Sequence, residues 1–155
     1  MQRLRVRTIA LASACACAAA ALLAAQAANP RIGKWKLKQD PPALNIMTYE
    51  PWGNGGMKVT VESTNRDGRK ATWTYNTMFD NKDMPVSGDT RTETSAVRKI
   101  DDRTTEIVNK KAGRVLQIIT NVISEDGNII NNTYRNFDAE GKPTRTTTAV
   151  YERIH

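Results

Sequence analysis

The chain has 155 residues, with 23 Lys and Arg against 16 Asp and Glu, one His and two Cys. Both cysteines, Cys15 and Cys17, lie before residue 28, and the one histidine is His155. The body of the chain therefore has no thiol for a nucleophile and no disulfide. It also offers no Cys/His or Ser/His/Asp constellation and no His or Cys set for zinc.

Residues 2–7 carry Arg3, Arg5 and Arg7 and no acid, and Thr8 to Ala27 is rich in Ala and Leu and uncharged. The run ends in Ala25-Gln26-Ala27, a small-x-small cleavage pattern. A basic start, an apolar middle and that ending predict a signal peptide over 1–27, and hence a secreted or periplasmic protein with a single domain over 28–155. A membrane span is the competing reading of the same run, but no basic cluster adjoins its far end. A second alternative is lipid anchoring at Cys15, since Leu11-Ala12-Ser13-Ala14-Cys15 loosely resembles a lipobox. Beyond residue 27 there are 20 basic and 16 acidic side chains, a net of +4. That modest excess removes most of the case for nucleic acid and leaves a mild attraction to anionic surfaces.

From Ile32 onward, short alternating segments are separated by turn signals. Gly33 to Lys38 is the first predicted strand, broken by Asp40-Pro41-Pro42, where proline cannot donate to a ladder. Asn45 to Trp52 follows, then Gly53-Asn54-Gly55-Gly56, a strong hairpin signal because Asn and Gly tolerate positive φ. Met57 to Ser63 alternates cleanly, and Asn65-Arg66-Asp67-Gly68 turns it into Lys70 to Phe79. Asp80-Asn81-Lys82-Asp83 is predicted as a turn before a short strand, Met84 to Val86. Thr94 to Ile100, Thr105 to Lys110 and the apolar Arg114 to Ile123 come next. Asn128 to Asn136 and Thr144 to Arg153 close the series.

About ten strands at this spacing, joined by short hairpins, predict an all-β antiparallel up-and-down meander with little helix. Closing on itself removes its two edges most simply. Several strands carry Thr, Asn and Arg on both faces, which is costly inside a dry core. A wet ligand cavity accommodates them; so does a shallow sandwich with those strands partly exposed. The aromatic set Trp52, Trp73, Tyr75, Tyr134 and Tyr151 is the candidate ligand-binding lining, with plain core packing as the competing role for each. Trp52, beside a Gly-rich turn, is expected at a barrel mouth. Asp80, Asp83 and Asp89 lie near a turn but lack a calcium-loop spacing, so neither metal nor cofactor is expected.

Gly33-Lys34-Trp35 at the first strand, followed by such a meander, resembles the calycin superfamily of lipocalins, fatty-acid-binding proteins and avidins. The stretches from Phe79 to Gly88, Val122 to Gly127 and Val150 to Arg153 are similar to small secreted bacterial lipocalin-like domains. The resemblance spans about residues 30–154 and implies a lipocalin/fatty-acid-binding-protein-like barrel. It also implies that Gly33, Trp35 and Arg153 close one barrel end, with the Arg153 guanidinium across the Trp35 indole. The Arg-x-Tyr carboxylate clamp of fatty-acid-binding proteins does not carry over, because the order here is Tyr151-Glu152-Arg153. Nor does the helical lid, for which the span from Leu37 to Asn45 leaves no room. The expected function is non-catalytic carriage of a small apolar or amphipathic molecule in the bacterial envelope. The alternative is a protein-binding module, an envelope inhibitor or assembly factor, using loops at one barrel end. The working site is expected opposite Trp35, near Gly53–Gly56 and Asp80–Asp89.

Overall fold

A computed structural model describes residues 29–38, 44–65, 67–88 and 91–155. The leader over 1–27, the anchoring alternative at Cys15, the Asp40-Pro41-Pro42 break and Asp89 lie outside the described residues. Ten strands follow one another: β1 (Gly33–Leu37), β2 (Leu44–Trp52), β3 (Gly56–Thr64), β4 (Lys70–Thr77), β5 (Asp80–Pro85), β6 (Thr94–Lys99), β7 (Thr104–Lys111), β8 (Arg114–Ile123), β9 (Ile129–Phe137) and β10 (Pro143–Ile154). Among the described residues there is no helix.

The strand order is β4-β3-β2-β1-β10-β9-β8-β7-β6-β5, with every ladder antiparallel. Apart from β4 and β5, each strand thus pairs with the next in the chain, and β1 also pairs with β10. The remaining seam, between β4 and β5, has no ladder. Just beyond β5, Thr74 and Ser87 exchange both backbone hydrogen bonds at 2.9 Å and pin it at one point. The result is the predicted up-and-down barrel of lipocalin/fatty-acid-binding-protein type, nearly closed. At this seam a Cβ on Gly88 would stand 2.2 Å from the Thr72 carbonyl oxygen, so only glycine lets the two segments meet.

One element differs from expectation. Asp80 to Asp83 belongs to β5 rather than to a turn. The reversal occurs one step earlier, where Phe79 takes φ 59°, and Asn81 at φ 62° accompanies a register shift between Asp80 and Asp83. Phe79 consequently lies outside β4 and does not continue its face.

Because the strands alternate direction, their connections alternate ends. The N-terminal segment and the turns after β2, β4, β6 and β8 form one end, the floor. The turns after β3, β5, β7 and β9 form the other, the mouth. Buried side chains from most strands, including Trp35, Val59, Val97, Ile123 and Ile130, make one core toward the floor. Outward positions carry charge instead, with cross-strand pairs such as Lys58–Glu50, Arg98–Glu106 and Arg135–Glu106. Among the described residues no helix is long and apolar enough to cross a membrane.

Candidate functional site

Trp35 is fully buried, and its indole N–H donates to the Arg31 carbonyl at 2.8 Å. The Arg153 guanidinium lies 4.2 Å over the Trp35 ring. Its N–H groups donate to the carbonyls of Gly127 (2.9 Å), Ile32 (2.8 Å) and Pro30 (2.6 Å). Gly33, at φ 132°, leaves the space this guanidinium occupies, since a Cβ there would stand 2.7 Å from Arg153 Nη1. These contacts bind the N-terminal segment across the floor.

That segment delivers Arg31, which no sequence signal singled out. Only 3% of its surface is exposed. Arg31 Nε donates to Asn121 Oδ1 at 3.1 Å, and Nη2 donates to the Arg103 carbonyl at 2.5 Å. Burial lowers its pKa, offset in part by Tyr49 and Asp101, but a guanidinium stays charged.

Above this floor the barrel encloses a cavity of about 240 Å³. One wall, from β2, β3 and β4, is largely apolar: Met47, Val59, Val61 and Trp73, with Tyr49 and Tyr75. The other, from β6 to β10, is polar but uncharged, with Ile107 and Ile119 interspersed. Two hydrogen-bond chains organise it. Toward the mouth, Ser95 Oγ donates to Asn109 Oδ1 (2.7 Å), Asn109 Nδ2 to Gln117 Oε1 (3.2 Å) and Gln117 Nε2 to Asn136 Oδ1 (2.9 Å). These residues are cross-strand partners in the ladders of β6 to β9, so register alone stacks them side by side. Deeper, Asn121 Nδ2 donates to Asn132 Oδ1 (2.8 Å), Asn132 Nδ2 donates to the Tyr134 hydroxyl (3.0 Å), and Tyr134 and Tyr151 share a hydrogen bond at 3.3 Å. Arg91 and Thr92 stand at the rim.

All four tyrosines of the chain line this cavity. Burial raises the pKa of Tyr49, Tyr75 and Tyr151 far above the usual phenol value, so these hydroxyls stay protonated. Trp73, Tyr75, Tyr134 and Tyr151 of the expected lining are brought together here. Trp52 is not. It pairs with Gly56 at the floor end of β2, away from the cavity. The Gly53–Gly56 turn and the Asp80 end of β5 likewise fall at the floor, on the same side as Trp35, because each follows a descending strand, whereas Val86, within the expected Asp80–Asp89 stretch, does line the cavity. The working end is instead formed around Asn45, Val86 and Thr92. Of the candidate cation cluster, Asp80 pairs with Lys82 (2.7 Å) and Asp83 with Lys110 (2.8 Å).

A larger crevice of about 640 Å³ opens outside the floor between Arg31, Phe79, Arg103 and Glu125. Its charges already meet each other, Lys99 with Asp102 at 2.7 Å and Arg103 with Glu125 at 2.8 Å. The smaller cavity has the enclosed, mixed lining that recognises a ligand. Comparison with known protein families finds no match, and none is found among curated proteins.

Proposed function

We propose that the protein is a calycin-like, non-catalytic binder that holds a small amphipathic molecule in its barrel, in the cell envelope if residues 1–27 act as a leader. The observation that carries this reading is the two-sided cavity, apolar on β2–β4 and polar but uncharged on β6–β10. At about 240 Å³ it is smaller than the roughly 300–1,000 Å³ of drug-sized sites, so the ligand is correspondingly small. Enclosing about 150–200 Å² of apolar ligand surface, the area of one aromatic ring system, contributes about 4–5 kcal/mol. That alone gives millimolar binding, and hydrogen bonds to the polar wall supply the rest. Among the described residues the cavity lining includes no carboxylate and no imidazole to move a proton, which favours carriage over catalysis.

Native mass spectrometry of protein isolated from its own host tests this. A small-molecule adduct is expected on the wild type and should be lost in Ile119→Trp or Val61→Phe, which fill the cavity. Protein that is consistently empty yet retains a protein partner would instead favour docking. That second reading draws on the outer groove between β8 and the β9–β10 turn, where Val115, Ile118 and Phe137 meet Ala139 and Gly141.

A further inference from the structure

The direction of the deeper hydrogen-bond chain is fixed by its first member. A guanidinium can only donate. Arg31 therefore turns the Asn121 carbonyl oxygen toward itself, which leaves the Asn121 amide N–H₂ for Asn132. Asn132 in turn presents its N–H₂ to the Tyr134 oxygen. Every donor points away from the buried cation and toward the cavity.

At the end of the chain the hydrogens can be counted. Tyr134 and Tyr151 have one hydroxyl hydrogen each, and the 3.3 Å contact between them uses one. The other has no acceptor among the described residues. Tyr75, on the facing wall, likewise makes no hydrogen bond among the described residues. Asn45 Oδ1 is the one covered side-chain polar atom without a partner there, so the Tyr75 oxygen is open to the cavity. Tyr49, Tyr75, Tyr134 and Tyr151 all line the same cavity of about 240 Å³, which places these phenols around one small volume.

We infer that the cavity is an acceptor site for a neutral carbonyl compound, whose oxygen takes one hydrogen bond from Tyr75 and one from the Tyr134–Tyr151 pair. This rests on the proposed reading of the barrel as a ligand carrier. A carbonyl oxygen has two lone pairs, matching two donors from opposite walls. Successive donors in one sense polarise one another, so the charge on Arg31 makes the terminal hydroxyl a better donor without entering the cavity. A carboxylate among the tyrosines is disfavoured, because its charge would lose water where no described cation meets it: Arg91 stands out at the rim, and Arg31 lies beneath the floor and not in the lining. The remaining bulk of the ligand packs on Met47, Val61 and Trp73.

The test uses three probes of one size on the intact protein: acetophenone, α-methylstyrene, in which C=CH₂ replaces C=O, and benzoate. Affinities are read by calorimetry or by Trp73-sensitive fluorescence. Tyr75→Phe and Tyr151→Phe should each weaken acetophenone about five- to tenfold and leave α-methylstyrene unchanged. Arg31→Gln should weaken acetophenone in the same selective way. If Arg31→Gln does not fold, the two tyrosine variants still decide. The carbonyl of ¹³C-labelled acetophenone should also move downfield on binding, and less so in each tyrosine variant. Equal losses for both neutral probes, no loss for either, or benzoate binding more tightly than acetophenone would overturn the carbonyl assignment while leaving a ligand barrel. Folded protein that binds none of the three overturns the barrel reading, and this inference with it.

Discussion

Arg153 combines three hydrogen bonds to carbonyls with a 4.2 Å stack on a buried indole. A cation–π contact contributes about 0.5–2 kcal/mol. Hydrogen bonds from a charged donor add about 1.5–3 kcal/mol each when their loss strands a buried acceptor, though not additively. Arg153→Met should therefore lower stability by about 2–4 kcal/mol, read from the midpoint of urea unfolding. Gly33→Ala should also destabilise, since its Cβ collides with the same guanidinium. The two costs should be coupled by about 1 kcal/mol or more, with Gly33→Ala milder in the Arg153→Met background. Independent costs would show that backbone strain at φ 132°, not the collision, is what glycine avoids. This latch could be anticipated only through the resemblance that Gly33-Lys34-Trp35 carries, which implies a basic residue across the indole; Arg153 itself is remote in sequence. Arg31 could not. Its importance comes from Asn121 and Asn132, ninety and more residues away, and nothing in Asn29-Pro30-Arg31-Ile32 distinguishes a buried cation from a solvated one.

At the scale of elements, alternation and turn residues carry most of the information, because consecutive strands pair, β4 and β5 apart. The exceptions are places where a residue adopts an unusual conformation. Phe79 and Asn81 hold positive φ and so turn a run that reads as Asp/Asn turn chemistry into β5. The polar wall was legible only as a puzzle, Asn and Thr on both faces, since only the register shows which amides become neighbours. Ala112 is the third such residue, at φ 49° in the two-residue turn with Gly113 between β7 and β8. A left-handed conformation costs an ordinary L-residue roughly 1–2 kcal/mol, and Asn-Gly is the favoured pair in such a turn. Ala112→Asn should therefore raise stability by about 0.5–1 kcal/mol, seen as a higher urea midpoint with an unchanged slope. The backbone N–H of Ala112 donates to Glu93 Oε2 at 2.7 Å, and this substitution retains it. At the seam, Gly88→Ala should push on the Thr72 carbonyl and break the Thr74–Ser87 bridge. Hydrogen exchange should then quicken at Thr74 and Ser87 well before it does in β8 or β9. Uniform acceleration across the barrel would mean that the seam does not open separately.

The whole molecule has an alkaline weakness that follows from putting every tyrosine in one cavity. Burial raises the folded pKa of Tyr49, Tyr75 and Tyr151 above the unfolded value of about 10. Below that pH both states hold these protons, and the phenols contribute their full stability. Above it the unfolded chain releases them while the fold retains them, so stability falls as pH rises. Each such group costs about 1.4 kcal/mol per pH unit, and three together cost about 4 kcal/mol per unit. A domain with a stability of about 5–10 kcal/mol is exhausted within roughly two and a half units above pH 10. Tyrosinate absorbance and loss of near-UV circular dichroism should therefore rise together in one cooperative step. A gradual phenolate titration with tertiary structure intact would mean that water and hydroxide reach these hydroxyls freely, and that the cavity is not the sheltered space its lining describes. Acetophenone discriminates further. By binding only the fold with protonated phenols, it should move the step to higher pH in wild type by more than in Tyr75→Phe.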